Sequence, residues 1–374
     1  MSLLTEQYPF SFTFYKSDVC DASAMEGIFE RHGIDFVCHL AARAGVRPSI
    51  NDPLVYIHSN IKATTTLMEV SNFKEKGEFF SSMSPYLTSI CILIHLHYHH
   101  HDYYTTIPLS PTQICNRFKV KNFVYASSSS VYGGSKSALF SEDEAVDHPV
   151  SPYAATKKAC ELMAFTYHHL YNLPTTGLRF FTVFGPRGRP DMAPFKFIDR
   201  ISRGIQIEQF GDGSSSRDYT YISDIVDGTV RALDRPYPYQ VFNLGKGKGT
   251  SLRDFIQIVE KNVGKKANIK VCADQPGDVP YTCADVSKAK HLLGYSAKVT
   301  FEEGIRRTVD WYEKEFELNI EPETQANGLA RASSFTDLQE DLEDASHTKK
   351  AKLSPRSQKE KEDRIARCPE MALP

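Results

Sequence analysis

The sequence predicts an α/β protein organised on a doubly wound parallel sheet, followed by a smaller α/β region and a polar tail. Two observations predict it. First, short apolar runs alternate with stretches of helical spacing: Ile34-Asp-Phe-Val-Cys-His-Leu40 precedes Pro53 to Val70, where Val55, Ile61, Leu67 and Met68 recur at helical intervals. That alternation implies parallel strands joined by right-handed crossovers. Second, Val120-Lys-Asn-Phe-Val-Tyr-Ala126, rich in β-branched and aromatic residues, runs into Ser127-Ser-Ser-Ser130. Small hydroxyl residues at the carboxyl end of a strand stand where open α/β sheets bind their ligands.

Taken in order, Phe12 to Tyr15 reads as a short strand ending at Asp18-Val-Cys-Asp21, and Ala24 to His32 as a helix. Ile34 to Leu40 is a buried strand entering a tight turn at Ala41-Ala42. Residues 73–116 break the pattern. They hold Ile90-Cys-Ile-Leu-Ile-His-Leu and five histidines between 95 and 101 without a period, and they read as an unstructured insertion rather than a metal site. After the Ser run comes an acidic loop to Pro149, then a helix to Tyr171 and a strand Thr175 to Thr182. The loop Val183-Phe-Gly-Pro-Arg-Gly-Arg-Pro190 joins two arginines to the backbone freedom of Gly185 and Gly188, which suits an anion. Shorter elements follow: helices near 195–203, 223–234, 251–263, 285–293 and 301–316, with strands at 240–244 and 268–272. From about 320 the chain is polar and poor in aromatic residues, so a disordered tail is expected.

Bulk properties exclude several function classes. With 44 basic against 46 acidic residues in 374, no bulk attraction draws this chain to nucleic acid. Eight scattered cysteines lack any Cys-x-x-Cys pair, which fits a reducing compartment, and no leader or membrane segment is visible, so the cytoplasm is the expected location.

The chemistry centres on Ser151-Pro-Tyr-Ala-Ala-Thr-Lys157. Tyr153 and Lys157 are four residues apart, which on a helix puts both side chains on one face. An ammonium beside a phenol favours the phenolate, and the pair becomes a proton-transfer device.

The order Ala126-Ser-Ser-Ser-Ser-Val-Tyr-Gly133, Tyr153/Lys157, Arg179-Phe-Phe-Thr-Val-Phe-Gly-Pro186, Gly188-Arg-Pro-Asp-Met-Ala193, Gly211-Asp-Gly-Ser-Ser-Ser-Arg-Asp-Tyr219 and Gln275-Pro-Gly-Asp-Val-Pro280 resembles the extended short-chain dehydrogenase/reductases, and among them the UDP-glucuronate 4-epimerases. The resemblance covers residues 12–72 and 117–317. It implies a Rossmann-like sheet, bound NAD and a UDP-sugar inverted at C4 through a 4-keto sugar. Tyr153 is then the base on the C4 hydroxyl, Lys157 lowers its pKa and holds the nicotinamide ribose, and Ser128 hydrogen-bonds the reacting oxygen. By the same resemblance Asp18, Val19, Leu40, Ala41, Ala42, Asn60 and Phe180 face the cofactor. Ser130, Thr182, Arg187, Arg217 and Asp278 face the substrate, and Gln275 favours the glucuronate branch. A homodimer through the helix of Tyr153 and the helix before it is also implied.

The resemblance further implies a first strand and a Gly-x-x-Gly-x-x-Gly turn ahead of Asp18, yet residues 1–17 hold no glycine. The expectation is a truncated cofactor domain over 1–182 that lacks its first βαβ unit, with 73–116 inserted as an unspliced intron would be. A UDP-sugar region follows over 183–319 and a tail over 320–374. A 4,6-dehydratase would want an acidic pair after the strand-end hydroxyl, where Ser129 and Ser130 stand. The competing class is a remnant that binds UDP-sugar or a protein without NAD turnover.

Overall fold

The structure is a computed structural model that describes residues 11–71, 90–93 (backbone only), 119–273 and 279–316. Gln275 and Asp278, the histidines at 95–101 and the tail from 317 lie outside the described residues. Residues up to Tyr312 belong to one unit.

Helix α1 (Ala22–His32) starts on Asp21, whose carboxylate accepts the Ala24 amide, and stops at Gly33 in the left-handed region. Strand β1 (Phe36–His39) follows, then helix α2 (Val46–Asn51) and a helical run in three pieces: α3 (Pro53–Tyr56), a π turn (Ile57–Lys62) and α4 (Ala63–Ser71). Strand β2 (Ile90–Leu93) lies beside β1, and β3 (Asn122–Ser128) runs into a 3₁₀ turn (Ser129–Tyr132). Helix α5 (Pro152–Tyr171) begins on the Ser151 hydroxyl with Pro152 in its first turn, and Asn172 closes it in the left-handed conformation. Strands β4 (Thr175–Phe180) and β5 (Thr182–Phe184), helix α6 (Ala193–Ser202), strands β6 (Ile207–Phe210) and β7 (Ser216–Tyr221), and helix α7 (Ile222–Asp234) come next. The remainder is β8 (Tyr239–Leu244), β9 (Gly249–Ser251), α8 (Leu252–Val263), β10 (Ile269–Cys272), α9 (Ser287–Leu293) and α10 (Phe301–Glu315). Among the described residues, no helix is long and apolar enough to cross a membrane.

The main sheet is parallel throughout, in the order β2-β1-β3-β4-β8. Neighbouring residues of a strand point to opposite faces, and here both faces are apolar. Val37, Phe123 and Tyr125 pack with Phe29 of α1, Leu67 and Met68 of α4 and Ala164 of α5. Cys38, Val124, Leu178 and Phe242 pack with Ile225 and Leu233 of α7 and Leu293 of α9. Double winding explains why these strands read as continuous apolar runs. Gly177 of β4 sits opposite Tyr125, and a methyl group there would stand 2.6 Å from the Tyr125 hydroxyl oxygen.

Three expectations are corrected. Phe12 to Tyr15 joins no sheet. A strand needs a ladder partner, and both edges of β1 are taken, by β2 and β3. Tyr15 instead packs on α1, its hydroxyl meeting His32 Nε2 at 2.6 Å and accepting from Arg31 at 3.1 Å. The expectation of an unstructured insertion does not extend to Ile90–Leu93, which supplies β2. The strand read as Thr175 to Thr182 is two: Phe181 leaves the main sheet, and Thr182–Phe184 pairs in parallel with β7 of a three-stranded sheet, β5-β7-β9.

Candidate active site

The carboxyl end of the main sheet carries the site. Register aligns Ser128 of β3 with Phe180 of β4, and Phe180 with Leu244 of β8. Ser128 is buried and caps the 3₁₀ turn, its Oγ accepting the Ser130 amide at 3.2 Å. Ser130 and Phe180 are half-buried around it. Thr182 continues from Phe180 into β5, where it pairs with Tyr219. The sheet end therefore gathers Ser128, Ser130, Phe180 and Thr182.

Helix α5 brings Tyr153 and Lys157. Its start is fixed from outside: Ser49 Oγ accepts the Tyr153 amide at 3.1 Å while donating to the Val46 carbonyl at 2.6 Å. Lys157 is only 4 % exposed, and its Nζ donates to the Ala126 carbonyl of β3 at 2.7 Å. An ammonium in an apolar setting needs such a partner. The Tyr153 ring meets the Tyr56 ring edge-on, 6.1 Å apart. Tyr56 donates to the Ala44 carbonyl at 3.1 Å, and the Arg43 guanidinium lies 5.9 Å from its ring centre. Burial pushes the Tyr56 phenol above its ordinary pKa, and Arg43 opposes this. Arg189, paired with Asp191 at 3.0 Å, is in electrostatic reach of both phenols.

Asn60 is 1 % exposed in the π turn. Its Oδ1 accepts the Arg43 amide at 2.7 Å, and its Nδ2 donates to the Arg43 carbonyl at 3.0 Å and to Thr156 Oγ1 at 2.9 Å. It therefore ties the turn after Ala42 to α5. The extra backbone residue of a π turn, a device frequent at functional sites, places it there. Asp18, Val19 and Ala41 line a small pocket with Cys20, His58, Ser59 and Ala63. Asp18 Oδ1 accepts the Cys20 amide at 2.8 Å, Leu40 is exposed and Ala42 half-buried.

The remaining predicted residues stand elsewhere. Arg187 is exposed and holds a left-handed φ of 60° in the loop after β5. Arg217 is half-buried on β7, donating to the Ser216 carbonyl at 3.0 Å. Its neighbour Asp218 is fully buried and accepts four hydrogen bonds from three segments.

Sequence reasoning missed Ser49, Tyr56 and Arg43, which belong to no short spacing pattern, and did not single out Asp218 within the Gly211–Tyr219 motif. It also missed Glu161, buried one turn beyond Lys157 and bound to Arg179. Glu161 had a signal, because Tyr153, Lys157 and Glu161 recur every fourth residue on one helix face.

Residues 3–245 match the family described as NAD dependent epimerase/dehydratase. A UDP-glucuronate 4-epimerase of Thermodesulfobacterium geofontis is 41% identical over 309 residues, 82% of this chain and 81% of that protein. A probable UDP-glucuronate 4-epimerase of Rhizobium meliloti is 35% identical over 315 residues, 79% of this chain and 80% of that protein. The crystal structure of a UDP-glucuronic acid 4-epimerase from Bacillus cereus, in complex with UDP-glucuronic acid and NAD, superposes with a TM-score of 0.66 at 31% identity, covering 83% of this chain and 85% of that one. The fold agrees with these matches, and the chain belongs to the NAD-dependent epimerase/dehydratase family.

Proposed function

We propose that this chain inverts C4 of a UDP-sugar, taking UDP-glucuronate to UDP-galacturonate through a 4-keto sugar with NAD bound. One observation carries the reading: Lys157 is buried against the Ala126 carbonyl near the end of β3, two residues before Ser128, and lies one helical turn from Tyr153. The named relatives supply the sugar.

In this reading the Tyr153 phenolate takes the proton from the C4 hydroxyl and later returns it. The Lys157 ammonium stands one helical turn away on the same face, and Ser128 Oγ hydrogen-bonds the reacting oxygen. NAD, when bound, supplies the hydride acceptor and donor that makes the inversion redox-neutral. The residues present suit the adenine end of that group: the pocket of Asp18, Val19, Cys20, Ala41, His58, Ser59 and Ala63 offers one carboxylate and one imidazole among small side chains. Leu40, Ala42, Asn60, Phe180 and the Lys157 ammonium line the way to the sheet end. Ser130, Thr182 and Arg187 serve the sugar carboxylate, and Arg217 the diphosphate, for which a guanidinium fork is suited. Residues 1–182 then form the cofactor part and 183–319 the UDP-sugar part. Exposed Leu162 and Phe165 on α5, with Leu54 and Ile57 on the preceding helical run, form the homodimer contact.

The test is chromatographic interconversion of the two UDP-uronates by purified protein. Tyr153→Phe is expected to lower kcat by about 10²–10⁴-fold, the usual share of a positioned proton-transfer group. A wild type that neither binds NAD in calorimetry nor turns over would assign the chain to non-catalytic UDP-sugar or protein binding.

A further inference from the structure

Behind the row Ser128–Phe180–Leu244 lies a second row, Ser127–Arg179–Asn243, in register across β3, β4 and β8. It is polar and buried: Ser127 is 2 % exposed, Arg179 3 % and Asn243 0 %. Glu161 of α5, equally buried, gathers it. Its Oε1 accepts from Ser127 Oγ at 2.6 Å and from Arg179 Nε at 2.8 Å, and its Oε2 from Arg179 Nη2 at 2.9 Å. Arg179 Nη1 donates to the Tyr132 hydroxyl at 3.0 Å, and Tyr132 donates to Asn243 Oδ1 at 2.7 Å. Burial lowers the Arg179 pKa, but Glu161 outweighs this and the guanidinium stays charged. A buried bidentate ion pair of this kind contributes little net stability over a well-packed apolar pair, while breaking one side costs several kcal/mol. Its use is therefore to be sought in what it holds in place.

It holds the proton relay. Lys157 and Glu161 are one helical turn apart, and they grip consecutive strand residues: Lys157 Nζ the Ala126 carbonyl, Glu161 the Ser127 hydroxyl. The Ala126 carbonyl and the Ser127 amide belong to one rigid peptide unit. The two grips thus close a ring that fixes the height of α5 along β3.

We propose that Glu161, braced by Arg179, is a positioning residue for the reaction: it sets where the Lys157 ammonium stands relative to Tyr153 and where Ser128 presents its hydroxyl. The proposal deepens the reading of the preceding subsection and rests on it. The Tyr153 phenol is faced by Tyr56 from α3 and by Arg189, with its partner Asp191, from the loop after β5. Arg43 lies beyond Tyr56, and Lys157 is on its own helix. Only Lys157 is tied to the ring, so loosening the ring weakens one cation and leaves the other groups alone.

Ser127→Ala removes one grip while leaving Glu161 and Arg179 paired. It is expected to lower kcat about tenfold with KM for UDP-glucuronate within about twofold of wild type, since small misplacements in such sites reach that size. The acidic limb of the kcat profile is expected to move to higher pH, because a phenol with a less well placed ammonium beside it loses its proton at higher pH. Ser127→Thr, which keeps the hydroxyl, restores both. Ultraviolet titration of the Tyr153 phenol, taken as wild type minus Tyr153→Phe, reads the same shift without turnover. A shifted titration in a protein that shows no turnover keeps the positioning role and overturns the epimerase reading alone. Unchanged limb and titration in Ser127→Ala, or a kcat loss that follows the melting temperature alone, would overturn the positioning role. If Ser127→Ala does not fold, Ser127→Cys, near-isosteric with a weaker donor, gives the same two readouts.

Discussion

Asp218→Asn tests how the strand bearing Arg217 is held. Asp218 Oδ1 accepts from Thr220 Oγ1 at 3.0 Å and the Lys246 amide at 2.8 Å, while Oδ2 accepts from the Gly247 amide at 2.9 Å and the Ala284 amide at 3.1 Å. Four donors leave no room for a proton on either oxygen, so the geometry demands the carboxylate. Asparagine keeps one acceptor and turns an NH₂ toward two donors. Each buried donor left without an acceptor costs about 1–3 kcal/mol, so the pair costs about 2–6 kcal/mol and centres near 4. For a chain of this size that is a fall in melting temperature on the order of 8–16 °C at about 2–4 °C per kcal/mol. Thermal melts followed by circular dichroism at neutral pH read it. Burial pushes the Asp218 carboxyl above its ordinary value, and the four donors oppose this. With the folded pKa raised, the contribution of this group is fully present below the unfolded pKa and declines as pH rises through the folded one. The wild-type advantage over Asn comes instead from the acceptor count. A variant melting within about 2 °C of wild type would mean that Asp218 is protonated in the fold, and would refute the four-acceptor account.

Two further outcomes follow from other parts of the fold. Gly177→Ala drives a methyl to 2.6 Å from the Tyr125 hydroxyl oxygen and 2.7 Å from its ring carbon, an overpacking expected to cost about 1–3 kcal/mol in urea unfolding. Tyr125→Phe in the same chain recovers only part of it because the ring carbon remains, and additive losses in the double variant would sink the contact. Glu303, bound to Arg306 at 2.8 Å and Arg307 at 2.7 Å, has its carboxyl lowered to about 2 by those hydrogen bonds. A depressed carboxylate stabilises above its unfolded pKa and loses that effect as pH falls through the folded value. The small melting advantage of wild type over Glu303→Gln is therefore expected at neutral pH and to fade between about 4.3 and about 2. An advantage that persists at the acid end would contradict the assignment.

What the sequence made legible follows a physical division. The parallel sheet was readable because each central strand is buried on both faces and leaves a continuous apolar run, as Asn122–Ser128 does. Edge and extension strands left no such trace. Ile207–Phe210 and Gly249–Ser251 are short and half-buried, and Phe12 to Tyr15 has the composition of a strand but pairs with none, both sides of β1 being taken. The same division runs through the site. Tyr153 and Lys157 were legible because their chemistry is local to one helix. Glu161 lies on that face, yet a carboxylate four residues past a lysine reads as a solvated pair until the strands show it meeting Ser127 and Arg179 in the interior. Those partners are separated from it by 34 and 18 residues, and only the parallel register that aligns Ser127 with Arg179 makes them one row. Positions set by register are invisible to spacing. They are also the ones that decide whether a relay read from spacing is held in working order, and for that reason Ser127, bound to Glu161, bears on how the Tyr153–Lys157 pair works although it lies on a different element.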